Sequence, residues 1–467
     1  MIRPCLVLVV CFCISPLVAA ESSPTAERSN ALGRYVAEPD DAYAWELVHR
    51  SNEHGATTYI VNMTSQKWLT ESEVDRTLWQ HSLVIVKPDN AVANTAMLFI
   101  GGGRNGQELP QTASDRTRQI AVATRSVVAE LGMVPNQPLM FHNDGVGRYE
   151  DDLIAYAWDQ ALKGSGPKWL PRLPMVKSAV RAMDTVQAVL RDDSAAPLTI
   201  EQFIVAGGSK RGWTTWMTAA VDERVCAIIP IVIDVLNVKR SMDHHYAAYG
   251  FWAPAIGDYV NHKITHRRNL PEYAALLKLV DPYAYRARFE MPKCIINATG
   301  DQFFLPDSSR FYFADLPGEK HLSYLPNSDH SLSGTSVLET IAAFHHAIVN
   351  DSPRPEFSWT FPDPTTIRVT SKTPPKQVIL WQATNPAARD FRVLSIGKAY
   401  QSITLQAGAA GEYSAKVRKP EKGWTAFYVQ LEFDVGAPTS LWLSTPVRVV
   451  PDLLPYADKR APLIGDG

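Results

Sequence analysis

Residues 202–216 read QFIVAGGSKRGWTTW, and few folds accommodate such a stretch. Phe203, Ile204 and Val205 form a short β-branched and aromatic run that suits a buried strand. Gly207 and Gly208 follow and supply backbone freedom. Beyond Ser209 the apolar positions Trp213, Trp216, Met217 and Ala220 recur at three- and four-residue spacing, a helical period. The chain is therefore expected to pass from strand to helix through a sharp turn with a serine at its apex. A helix that starts there points its first N–H groups at the serine, where an oxyanion would develop.

A strand, a serine turn and a helix in that order are the nucleophile elbow of α/β-hydrolases. The G-x-S-x-G pattern is incomplete, because Arg211 stands where the second glycine belongs and Gly212 comes one residue later. This bears on the packing of the elbow helix, while the nucleophile is kept. A Ser-Gly turn without chemistry is the alternative, and the rest of the chain must decide. Upstream, AMLFI (96–100) reads as a strand that runs into Gly101-Gly102-Gly103. In this fold the loop after the third strand supplies the second oxyanion N–H. Gly102, Gly103 and the Lys210 N–H are thus the candidate oxyanion donors.

Downstream, Asp301 closes the strand-like run 293–299 and His330 follows the run 322–325. Ser209, Asp301 and His330 stand in the chain order of an α/β-hydrolase triad, each at the carboxyl end of an expected parallel strand. The chemistry needs these residue types. A serine hydroxyl is a poor nucleophile until a base takes its proton. Histidine titrates near neutral pH and can return that proton to the leaving group. A carboxylate fixes the imidazole tautomer and stabilises the imidazolium. Asp234 is a rival acid and Asp307 a weaker one. Lys210 and Arg211 read either as solvated helix-start charges or as attractors of a substrate carboxylate.

The chain has 467 residues, enough for two or three domains, and a formal net charge of −2. Such a balance gives no broad attraction to nucleic acid or to an anionic membrane. Residues 1–20 have the layout of a secretory signal: Arg3, an apolar core 6–14, Pro16, and Val18-Ala19-Ala20 before Glu21. The expected protein is exported, to a periplasm or the extracellular space, and carries no membrane anchor. Past the signal only Cys226 and Cys294 remain. They are expected as small buried hydrophobes; a disulfide is the alternative.

Residues 31–350 are expected to form the hydrolase domain. Within it 31–58 should be extended, 119–131 an amphipathic helix closed by Gly132, 138–141 a strand, 150–158 a helix with an acidic first turn, and 174–191 a long amphipathic helix. Residues 235–285 are an aromatic-rich insertion, expected as a cap that shapes a substrate pocket, with Arg211, Trp213, Tyr246 and Trp252 as candidate substrate contacts. His244 and His245 have no third ligand at metal spacing, and neither metal nor cofactor is expected. The proline-rich 351–364 reads as a linker. Residues 365–452 alternate in short runs between turns, which predicts an immunoglobulin-like β-sandwich.

Five motifs in order, GGSKRGWTTW, IIPIVIDVLN, the aromatic YGFW…DY run, NATGDQFFLPDSS and LPNSDHSL, resemble the PhoPQ-activated pathogenicity-related protein family. The resemblance runs from about residue 35 into the C-terminal β region. It implies an exported serine hydrolase with Ser209, Asp301 and His330 as the triad, acting on a small-molecule or polymer-linked ester or amide. The elbow, with a basic residue after the serine, is also similar to that of glucuronoyl esterases.

Overall fold

The structure is a computed structural model that describes residues 30–464 apart from 93, 409, 410 and 460. The expected signal segment lies outside the described residues. Nine strands lead the chain: β1 (Ala44–Glu53), β2 (Ala56–Lys67), β3 (Leu78–Pro88), β4 (Thr95–Ile100), β5 (Val128–Leu131), β6 (Gln202–Gly208), β7 (Val225–Ile231), β8 (Lys293–Ala298) and β9 (Lys320–Leu325). They lie side by side in the order β1-β2-β3-β5-β4-β6-β7-β8-β9. Pairing is antiparallel as far as β3–β5 and parallel from β5–β4 through β8–β9. With a serine turn after β6, this is the sheet of an α/β-hydrolase.

The central strands are apolar almost throughout because both faces are covered. Phe203 and Val205 join one apolar layer, with Met175, Val176, Trp213 and Trp216 from the helices Arg172–Arg191 and Lys210–Val221. Ile204 and Ala206 point the other way, into a layer with Ile120, Ile341 and Phe344. The direction of strand addition reverses at β4, which sits between β5 and β6. Ligands of open α/β sheets bind beyond the strand ends at such a point. Ile100 pairs with Gly207, so the glycine loop and the serine turn leave the sheet as neighbours.

Several expectations are corrected. Residues 119–131 are not one helix: a helix spans Asp115–Thr124, Arg125 turns left-handed (φ 53°), and β5 follows. Val127, Ala129 and Leu131 face one layer and Val128 the other, a strand period that pairing between β3 and β4 rewards. Gly132 therefore follows a strand and caps no helix. Residues 31–58 begin with a helix, Ala31–Ala37, capped by the Asn30 side chain, before β1. The expected strand at 138–141 is reduced to isolated bridges, Leu139 with Arg148 and Phe141 with Val74.

Between β7 and β8 the insertion is helical, with helices Val238–Tyr249, Gly257–Asn261 and Pro271–Val280. Cys226 and Cys294 are both free. The C-terminal strands are β10 (Phe357–Asp363), β11 (Thr366–Ser371), β12 (Gln377–Asn385), β13 (Gln401–Thr404), β14 (Glu412–Lys416), β15 (Trp424–Phe433), β16 (Leu441–Ser444) and β17 (Arg448–Val450). The second half of the expected linker is thus strand β10, paired with β11. β10, β11 and β14 form a small sheet. The other strands continue the main sheet, β16 meeting β9 at Ser444 and Leu322, so that sheet runs on into the C-terminal region.

Candidate active site

Ser209 lies between β6 and the elbow helix at φ 57°, ψ −125°. The strain of the turn, of order 1–3 kcal/mol for such a conformation, is carried by the serine itself. The glycines serve closeness instead. A Cβ on Gly207 would meet Arg211 O at 2.7 Å, and one on Gly212 would meet Gly207 O at 2.8 Å and Ile231 O at 2.9 Å. A Cβ on Gly208 would meet nothing within 4 Å. Gly212 therefore provides the close helix–strand approach, which frees position 211 for a long side chain. Ser209 N donates to Ile231 O at 2.8 Å and fixes the apex against β7.

Arg211 reaches back under the glycine loop. Its Nε donates to Val134 O at 2.5 Å and its two terminal nitrogens to Glu150 at 2.9 and 2.7 Å. A Cβ on Gly102 would lie 2.7 Å from the guanidinium, and one on Gly103 would lie 2.6 Å from Met133 Sδ. The loop carbonyls are tied down: Gly101 O accepts from Val134 N, Gly102 O from Met133 N, and Gly103 O from Gln137 Nε2. Lys210 is buried, with Nζ 2.7 Å from Glu150 and 3.3 Å from Asp151. Lys210 and Arg211 are thus neither solvated nor free to attract a substrate. Burial acts to raise the Glu150 carboxyl, but the Arg211 hydrogen bonds and the Lys210 charge outweigh it and hold the group well below the usual carboxylate range.

Asp301 and His330 meet as the chain order suggested. Asp301 Oδ2 lies 2.8 Å from His330 Nδ1, and Oδ1 accepts from Phe303 N at 2.7 Å. Asp301 is buried. The imidazole packs on Phe303 and Phe304, with ring centroids 4.5 and 6.0 Å away. Its Nε2 is shielded from solvent and has no hydrogen-bond partner, so no bond joins it to Ser209 in this structure. Phe303 and Phe304 also line the cavity onto which Ser209 opens, so the imidazole packs against two of its wall residues. The rivals are committed elsewhere. Asp234 accepts from Tyr312 and Tyr324, and burial pushes its carboxyl up to about 7. Asp307 pairs with Arg389 at 2.6 Å and with His244 at 3.1 Å.

The insertion roofs that cavity. Val238, Met242, Ile256, Tyr259, Ile264, Arg268 and Tyr273 face Ser209, Lys210 and Trp213 across it. Trp213 is a wall residue as expected, with its indole N–H donated to Val280 O. Arg211, Tyr246 and Trp252 are not among the lining residues, which corrects their expected role. Tyr246 borders a separate surface groove with Leu454 and Ala457. Trp252 packs between His245 and Arg268. His245 accepts from Ala253 N. Tyr259 and Tyr273 belong to the aromatic content expected to shape the pocket, whereas Arg172, Arg268, Phe303 and Phe304 line the cavity and were not singled out from the sequence. Phe303-Phe304, two residues past the acid, was a signal in plain view. Arg172, at the first position of the long apolar helix, was weaker.

Among proteins of known name, autocrine proliferation repressor protein A of Dictyostelium discoideum is 36% identical over 457 residues, covering 92% of each chain. Solved structures with a likeness include acetyl xylan esterase 1 of Thermoanaerobacterium sp. JW/SL YS485, at 14% identity and TM-score 0.47, covering 68% of this chain and 92% of that one. An acetyl xylan esterase of Paenibacillus sp. R4 matches at 12% identity and TM-score 0.44, covering 66% and 87%. The sequence matches the family pattern over residues 32–392, and the chain belongs to the PhoPQ-activated pathogenicity-related protein family.

Proposed function

We propose that this chain is an exported serine hydrolase that cleaves an ester through an acyl-serine intermediate. The observation that carries the reading is the imidazole of His330: one nitrogen is held by buried Asp301, the other is unpartnered, and the ring packs on Phe303 and Phe304, which wall the cavity of a serine at a strained apex. Ser209 Oγ attacks the carbonyl carbon while Nε2 takes its proton. The Lys210 N–H and the N–H groups of Gly102 and Gly103 hold the oxyanion, a contribution of roughly 3 kcal/mol per donor. The imidazolium gives its proton to the departing alcohol. Water, activated by the same nitrogen, then releases the acid. Hydrogen bonds of this kind are often long in a resting enzyme and tighten when substrate binds.

Ester cleavage is favoured over aminopeptidase action by the state of the acidic turn. An aminopeptidase needs a carboxylate for the substrate amine, and Glu150, Asp151 and Asp152 are engaged by Arg211, Lys210 and His262. Export rests on the layout of residues 1–20, and N-terminal sequencing of the mature chain should then begin at Glu21. For residues 365–452 an immunoglobulin-like sandwich is supported by the apolar core that Ile367 and Val369 of β11 share with Phe427, Val429 and Leu431 of β15. Labelling by a fluorophosphonate, absent in Ser209→Ala, tests the nucleophile. A second reading, a secreted signal on a hydrolase scaffold, is favoured by the identity to a protein named as a proliferation repressor. Folded wild-type protein that takes no label and cleaves no ester would decide for it.

A further inference from the structure

Arg172 opens the long helix that precedes β6 and is 1% exposed. Its Nη1 donates to Lys210 O at 2.9 Å, one residue past the nucleophile, and also contacts Met175 Sδ. The guanidinium carbon stands 4.5 Å from the Trp213 ring centroid. Nε is buried without a hydrogen-bond partner. Among the described residues Arg172 forms no ion pair with a carboxylate, yet it lines the cavity of Ser209. Buried arginines are normally paired, because a desolvated charge left alone is costly. Burial brings its pKa down to about 10, which still leaves a cation at neutral pH.

Asp151 and Glu150 favour its charge from a distance, but neither forms an ion pair with it. Lys210 and Arg211 are balanced by Glu150 and Asp151. The other oxygen of Asp151 accepts from Tyr259 at 3.1 Å. From the roof Arg268 adds a second cation, over Trp252, with a single 3.4 Å contact to Asp243. Around Trp213, Phe303 and Phe304 the walls are apolar. The cavity thus offers an aromatic slot with a guanidinium that has no ion-pair partner, beside the nucleophile.

We propose that Arg172 is the specificity-determining residue of this site and binds the carboxylate of an anionic ester substrate. The assignment rests on Ser209 acting as the nucleophile. A planar guanidinium suits a carboxylate through parallel N–H bonds, and aromatic walls suit the short spacer between that carboxylate and the ester. The carboxylate can belong to the acyl part or to the alcohol part, and two matched pairs separate these. One is p-nitrophenyl hemisuccinate against p-nitrophenyl valerate; the other is 4-carboxyphenyl acetate against 4-methylphenyl acetate.

In one pair the wild-type chain should prefer the anionic ester at least tenfold in kcat/KM, after correction for spontaneous hydrolysis. That preference should fall at least tenfold in Arg172→Gln, mainly through KM, and partly return in Arg172→Lys. Should Arg172→Gln not fold, wild-type protection decides: succinate or benzoate should slow fluorophosphonate labelling of Ser209, and succinamide or benzamide should not. Cleavage of neutral esters with labelled Ser209 but no preference in either pair would overturn the carboxylate assignment and leave the hydrolase standing. So would a preference that survives Arg172→Gln. No label and no cleavage on folded protein would remove both.

Discussion

The two sides of the cavity are held in place by different parts of the chain. Ser209 is set by near neighbours: Gly207, Gly212 and the β7 carbonyl of Ile231 confine the turn. Asp301 and His330 depend on the far end. Val393 N donates to Gly300 O at 3.0 Å, directly before the acid. Asn327, three residues before the base, exchanges two hydrogen bonds with the Tyr400 backbone, 73 positions away. Arg389 buries its charge against Asp307 in the loop that follows Asp301. The C-terminal region thus braces the loops of acid and base. The nucleophile turn should form without those strands, and the acid–base pair should not.

The largest effect tests the nucleophile side. Ser209→Ala should lower kcat at least ~10⁴-fold, since losing the nucleophile costs that much or more in serine hydrolases, with folding unchanged by circular dichroism. Next comes the brace. Arg389→Gln leaves Asp307 buried without its strongest partner and should cost about 3–5 kcal/mol in urea unfolding. In the surviving folded fraction esterase activity should fall, while Trp213 and the elbow keep their near-UV signal. Full activity in that variant would show that the acid–base loops stand without the C-terminal region.

Between the two sides lies Asp234, just past β7 and bonded to Tyr312 and Tyr324. Burial raises its carboxyl to about 7, well above the ordinary aspartate value of about 4. The folded chain therefore keeps a proton that the unfolded chain gives up. Its stabilising contribution is full below about pH 4 and is lost as pH rises through 7. Three pKa units set a ceiling of about 4 kcal/mol. Asp234→Asn should flatten the decline in Tm between pH 4 and 7, and gain on wild type as pH rises. A difference in Tm that stays constant with pH would mean the carboxyl titrates normally.

Most of the nucleophile side was legible because its signals are contiguous. The apolar run, the glycines and the helical period stand within 15 residues of one another. The glycine loop and the order Ser, Asp, His followed from it. Ambiguity entered where an apolar run was short. Residues 128–131 fit a helix as well as a strand, and only pairing with β3 and β4 decided. Arg211 looked like a solvated charge because its partner, Glu150, lies 61 positions back. The Val393 brace joins two backbone groups, and Tyr400 meets the Asn327 side chain through its backbone alone, so neither Val393 nor Tyr400 is marked by its residue identity.

The smallest expected effects sharpen the comparison inside the elbow itself, where three glycines look alike in sequence. Gly212→Ala forces a methyl against two backbone carbonyls at 2.8 and 2.9 Å. Neither can yield without parting helix from sheet, so a loss of about 1–3 kcal/mol is expected, together with loss of labelling as Ser209 shifts. Gly208→Ala places its methyl in open space within β6 and should change stability by less than about 0.5 kcal/mol. If the glycines served backbone freedom, the two substitutions would cost alike. A large Gly208→Ala penalty beside a tolerated Gly212→Ala would mean that the turn, rather than the approach of helix to strand, sets the serine.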